Sequence, residues 1–149
     1  MTPHEIEALV HVRERVFLSY RRANAGTADA LLKKLESDGY AVWIDRTDIG
    51  GGTKWRAEIE KALIESAAMV LLLTKSALES DEIYKEIARA VELDKPVIPL
   101  LIEPVELHGW YKDKLGAIQQ IEMPADAADG EWYARLLAAL RRARRAAAR

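Results

Sequence analysis

Ala67-Ala68-Met69-Val70-Leu71-Leu72-Leu73 is the longest apolar run in the chain, closed on either side by Ser66 and Thr74. It is far shorter than the ~20 residues a bilayer span needs. An apolar run without alternation is the pattern of a strand covered on both faces, as in a parallel sheet flanked by helices. Working outward, Val16-Phe17-Leu18 runs into polar Ser19-Tyr20-Arg21-Arg22, a strand ending in a loop. Tyr40-Ala41-Val42-Trp43-Ile44 rises after Asp38-Gly39 and leads into Asp45-Arg46-Thr47-Asp48-Ile49-Gly50-Gly51-Gly52. On the other side, Pro96-Val97-Ile98-Pro99-Leu100-Leu101-Ile102 reads as a fourth strand.

Helical spacing fills the gaps. Thr27 is placed to cap a helix carrying Leu31, Leu32 and Leu35, closed by Gly39 in the C-terminal glycine position. A helix from about Lys54 to Ser66 buries Trp55, Ile59, Ala62 and Leu63. Ser76-Ala77-Leu78-Glu79 has capping-box form and opens the helix over 79–92. After the fourth strand come a short helix over Leu107–Leu115, an edge strand over Ala117–Ile121 and a loop over Met123–Gly130. Trp132, Leu136, Leu137 and Leu140 then mark a last amphipathic helix. Strand and helix alternating with short connections predict an α/β fold: a flavodoxin-like, doubly wound, five-stranded parallel sheet in order 2-1-3-4-5, flanked by helices. The expected organisation is an N-terminal extension over 1–13, one domain over 14–140 and a basic tail or linker over 141–149.

Bulk composition bounds the function. At 149 residues the chain fits one domain. The absence of cysteine excludes disulfides, zinc-thiolate sites and a thiol nucleophile. A net charge of −2 argues against a nucleic-acid footprint over the whole domain. The five arginines of 141–149 read as a solvated helix end or linker, with contact to an acidic partner or nucleic acid as the weaker alternative. Met1-Thr2-Pro3-His4-Glu5-Ile6-Glu7 has acid where a signal peptide needs base, which points to the cytoplasm. His4, His11 and His108 have no acidic or nucleophilic neighbours suited to a triad or a metal site, so no metal is expected.

One residue breaks the pattern. Ile83, Ile87 and Ala90 share a helix face, and Glu86 falls on it. A carboxylate buried there is either paired or used; the alternative is a helix-edge glutamate leaning to solvent. In a sheet of this order ligands bind outside the carboxyl ends of the strands, where the strand order reverses. The loops 19–26, 45–53 and 74–80 converge there, and Glu86 can face the same crevice. Arg21 and Arg22 can bind diphosphate oxygens or pair with Asp45 or Asp48. Tyr20 can stack on a base or serve as core, and Trp43 is core or a partial pocket wall. Gly50-Gly51-Gly52 can move as a lid or act as a plain flexible connection, and does not fit a phosphate-binding loop with Lys and Ser/Thr.

Taken in order, these segments resemble the TIR (Toll/interleukin-1 receptor) domain over roughly residues 14–122. Phe17-Leu18-Ser19-Tyr20-Arg21-Arg22 resembles the family's first-strand box, and Asp45 to Gly52 followed by Trp55 is similar to its BB loop and the next helix. Ser66 to Thr74 resembles its third strand, and Pro96-Val97-Ile98-Pro99 its fourth. Tyr84-Lys85-Glu86-Ile87 occupies the place of the catalytic glutamate. The family often has a tryptophan shortly before that glutamate; here Ile83 and Tyr84 stand nearby.

The resemblance implies an enzyme that cleaves NAD⁺ at the nicotinamide–ribose bond, a protein-interaction scaffold, or both. It implies Glu86 as the catalytic residue and no cofactor, NAD⁺ being substrate. Ser19, Tyr20, Arg21, Arg22, Trp43, Asp45 and Tyr84 are the implied substrate contacts, and Asp48, Ile49, Gly50, Gly51 and Gly52 the gate and self-association loop. The implied partners are further TIR domains, in a homo-oligomer or filament, and a C-terminal sensor module, in a setting of bacterial immunity or cell death. Membrane is not among them. A response-regulator receiver fails on charge, since Ser-Tyr-Arg-Arg and Leu-Thr-Lys stand where it needs acids. A nucleoside deoxyribosyltransferase shares the sheet and a glutamate, but the arginine pair argues for a substrate with phosphates.

Overall fold

The computed structural model describes residues 2, 15–44, 53–128 and 130–147, with 53–55 and 147 as backbone only. Asp45, Asp48, Ile49 and Gly50–Gly52, the Trp55 side chain and nearly all of the 1–13 extension lie outside the described residues.

Five strands form one sheet: β1 (Arg15–Ser19), β2 (Ala41–Ile44), β3 (Ala68–Leu73), β4 (Val97–Leu101) and β5 (Ile121–Glu122). The spatial order is β2-β1-β3-β4-β5, and every pairing is parallel. The order reverses between β1 and β3, where Ser19 stands opposite Leu71. The helices are α1 (Ala25–Ser37), α2 (Thr53–Glu65), the short α3 (Lys75–Leu78), α4 (Asp81–Glu92), α5 (Gly109–Leu115) and α6 (Glu131–Ala147). No helix among the described residues is long and apolar enough to cross a membrane.

The all-apolar β3 is buried throughout because its alternate side chains enter two separate cores. Ala68, Val70 and Leu72 join Val16 and Leu18 of β1 under Leu31 and Leu35 of α1 and Leu136 and Leu140 of α6. Met69, Leu71 and Leu73 join Phe17 under Leu63 of α2 and Ile83, Ile87 and Ala90 of α4. The expected doubly wound α/β architecture is therefore present, with one core on each face of the sheet.

Three local expectations are corrected. A 3-10 turn over Arg22–Asn24 turns the chain early, so α1 starts at Ala25 with Asn24 at its cap position. Thr27 is inside the first turn, and its hydroxyl donates to the Ala125 carbonyl. The Ser76–Glu79 capping box does not open the Glu86 helix. Thr74 Oγ1 accepts from the Ala77 amide at 3.0 Å to cap α3, and Ser80 Oγ accepts from the Ile83 amide at 3.2 Å to cap α4. Flanking hydroxyls thus outcompete the one with the better-looking spacing. Finally, the edge strand is only Ile121–Glu122, because turn bonds from Gly116 to Lys112 and from Ile118 to Leu115 prolong the end of α5. α6 continues through the arginine-rich segment, with Ala143 in the core and Arg141, Arg142, Arg144 and Arg145 exposed.

The expected glycine stop of α1 is present. Gly39 has φ of +90°, and the Gly39 and Tyr40 amides donate to the Glu36 and Leu35 carbonyls at 3.1 and 3.0 Å. A Cβ at Gly39 meets nothing within 4 Å, so any penalty is conformational rather than steric. Gly39→Ala is expected to lower unfolding free energy by about 1–2 kcal/mol, read as a lower urea midpoint at unchanged slope.

Candidate functional site

Glu86 lies on the inward face of α4. Ile83, Ile87 and Ala90 seat that face in the core, and Glu86 goes down with them, 4% exposed. Below it, β1 ends in Ser19, 0% exposed. The Ser19 hydroxyl donates to Glu86 Oε1 at 2.8 Å, joining positions 67 residues apart. A charge-assisted bond of this kind contributes about 1.5–3 kcal/mol, against a desolvation cost of several kcal/mol for a buried carboxylate. Leucine is a cheaper occupant of the face, so burial of a carboxylate there points to use. The helix-edge alternative, a glutamate leaning to solvent, does not hold.

The site stands where the strand order reverses, outside the carboxyl end of β1. Arg21 is exposed, and its Nε donates to Ser76 Oγ at 3.1 Å, tying the loop after β1 to α3. Arg22 is exposed in the 3-10 turn. Arg21 therefore stands beside α3 at the end of β1, and Arg22 follows it in the turn. Ser76 had no visible role in the sequence beyond its capping pattern.

Three other candidates are placed elsewhere. Tyr20 packs half-buried against the α1/α6 core, on the opposite face of the sheet from α4. Trp43 stacks on Phe17 with ring centroids 4.9 Å apart and planes at 22°. It is on the same face as Glu86 but lines a separate cavity with Arg15, Glu58 and Glu65. Tyr84 is 41% exposed and meets Trp110 edge-on at 4.9 Å and Tyr111 at 6.2 Å. The cavity that Glu86 does line, between α2 and α4, is bounded by Ile59, Glu60, Glu82, Lys85 and Arg89.

The sequence profile described as "TIR domain" matches residues 16–137. Uncharacterized protein y4cD of Sinorhizobium fredii is 40% identical over 80 residues, 49% of this chain but only 12% of that protein. Among solved structures, the TIR domain of the Toll-related receptor TRR-2 from Hydra magnipapillata superposes with a TM-score of 0.67 at 16% identity, covering 85% of this chain and 97% of that one. A 2-deoxyribosyltransferase from Bacillus psychrosaccharolyticus gives 0.59 at 13% identity, covering 85% and 95%. Identities this low show a shared fold, and the fold is shared by a receptor domain and an enzyme alike.

Proposed function

From the chain's membership of the TIR domain family, we propose that it is an NAD⁺ nucleosidase that cleaves the nicotinamide–ribose bond, with Glu86 as its catalytic carboxylate. The observation that carries this reading is the buried Glu86–Ser19 contact at the switch point of the sheet. The nicotinamide ring is cationic in NAD⁺ and leaves as a neutral molecule, keeping the electron pair of its bond to ribose, so no general acid is required. Positive charge instead builds on the ribose, as in glycoside hydrolysis. A carboxylate in a water-poor crevice stabilises that charge, or captures it as nucleophile. Ser19 holds Oε1 in place, which fixes the direction of the carboxylate. Water then completes hydrolysis, or a hydroxyl or adenine of the same molecule closes a cyclic product. Arg21, tied to Ser76, fits the diphosphate.

We further propose that copies must assemble before the pocket is complete, and that NAD⁺ loss serves immune or cell-death signalling. A specific observation favours the second reading, a protein-interaction scaffold. Exposed Tyr84 of α4 meets the half-buried Trp110 and Tyr111 of α5 in an aromatic group, a feature suited to contact with a protein partner.

Nicotinamide release from NAD⁺, followed over a protein concentration series beside a deoxynucleoside control, separates the readings. Release rising faster than linearly with protein is expected. Release from neither substrate at high concentration favours the scaffold, and base release from the deoxynucleoside alone would make the chain a nucleoside-acting enzyme.

A further inference from the structure

Glu86 lines a cleft that two helices enclose. That cavity measures about 140 Å³, with Ile59, Glu60 and Leu63 of α2 on one wall and Glu82, Lys85 and Arg89 of α4 on the other. Its width is the spacing between α2 and α4. An ion pair crosses it. Arg89 Nε donates to Glu60 Oε1 and Oε2 at 2.9 Å each, and Nη2 donates to Oε1 as well. On the other side of the guanidinium, Nη1 donates to Glu92 Oε2 at 2.9 Å. All three guanidinium nitrogens are thus engaged, and the fork can hold only one orientation.

Arg89 is three residues after Glu86 on the same helix, so it stands one turn along the same flank of α4. Whatever fixes Arg89 against α2 therefore fixes Glu86 against β1. Both side chains of the Arg89–Glu60 pair are 39% exposed, and ion pairs that exposed add little to stability. What a forked pair does supply at such a site is geometry. Hydrogen bonding to Arg89 holds the Glu60 carboxyl below the usual carboxylate range. Hydrogen bonding to Glu60 and then Glu92 raises the Arg89 guanidinium above its ordinary value. Both partners stay charged through the neutral range.

We infer that Glu60 and Arg89 are positioning residues for Glu86, their ion pair setting the α2–α4 spacing and so the place of the carboxylate above Ser19. The catalytic consequence rests on the nucleosidase reading; the effect on Glu86 itself does not. The test uses Arg89→Met, Glu60→Gln and the exchanged pair Glu60→Arg/Arg89→Glu, each checked for native circular dichroism. Two readouts are taken: kcat and KM for NAD⁺, and the titration of the ¹³C-labelled Glu86 carboxyl by NMR. In the single variants kcat is expected to fall about tenfold, within the range that small misplacements of a reacting group produce, with KM within about twofold. The Glu86 titration midpoint moves in both, and the exchanged pair returns kcat toward wild type while the Glu86 titration stays displaced, since a carboxylate at 89 stands one turn from Glu86 and against Glu92.

A rise in KM at unchanged kcat would make Arg89 a substrate contact and overturn the inference. So would an unmoved Glu86 titration in folded single variants. If the wild type releases no nicotinamide, the nucleosidase reading fails alone, and the titration still decides whether the pair positions Glu86.

Discussion

Glu86→Gln is expected to cut nicotinamide release by about 10²–10³-fold, the scale of losing one preorganised electrostatic contact to a transition state. Glutamine keeps the shape of the side chain and offers Ser19 a carbonyl oxygen in place of Oε1, so the 2.8 Å contact can persist. What disappears is the negative charge facing the ribose. The variant should fold as well as wild type, since an amide is cheaper to bury than a carboxylate at a position only 4% exposed. Loss of release with native circular dichroism and an equal or higher Tm separates chemistry from folding. Release equal to wild type would remove Glu86 from the reaction and leave the sheet as described. Glu86→Ala is the weaker variant to interpret, because it also opens a cavity beside Ile83 and Ile87.

Much of this arrangement is legible in the sequence. Val16–Leu18 and Met69–Leu73 announce themselves because a strand covered on both faces has no polar position to spare. Ser19 and Glu86 were each visible, one as the first polar residue after a strand and the other as a charge on an apolar face. Their contact across 67 residues follows only once the sheet order places the end of β1 beside the β3–α4 connection. Tyr84 shows where adjacency in sequence misleads. Two positions along a helix is about 200° around it, so Tyr84 looks toward Trp110 while Glu86 looks toward β1. Tyr20 follows Ser19 in the chain and so points to the other face of the sheet. The start of α4 is hard to place because Thr74, Ser76 and Ser80 all offer hydroxyls near it and spacing alone does not rank them, whereas the start of α1 is set by the 3-10 turn over Arg22–Asn24. The Glu60–Arg89 pair left no signal at all, since a contact between two surface positions 29 apart looks like any two charges.

Phe17→Ala should be the most damaging single change to stability, lowering unfolding free energy by about 3–5 kcal/mol. Phe17 is 0% exposed in the strand that bridges β2 and β3, opposite Trp43 on one side and Met69 on the other. Its ring stacks on Trp43 at 4.9 Å, so truncation removes both the buried area and an aromatic contact. The void cannot close easily, because the residues around it belong to strands whose hydrogen-bond registers are already set. Against a typical domain stability of about 5–15 kcal/mol, that loss is a large fraction. It corresponds to a fall in Tm of roughly 6–20 °C for a chain near this size. Phe17→Leu, which keeps most of the volume, should cost distinctly less. Because Ser19 is two residues on and points to the same face, even the folded fraction of Phe17→Ala should place its hydroxyl less well under Glu86. Denaturant midpoints and nicotinamide release measured on the same samples test this directly. A loss of stability with full activity per folded molecule would mean that the end of β1 is held by the β3 pairing alone, and that the Phe17–Trp43 stack serves only the edge strand.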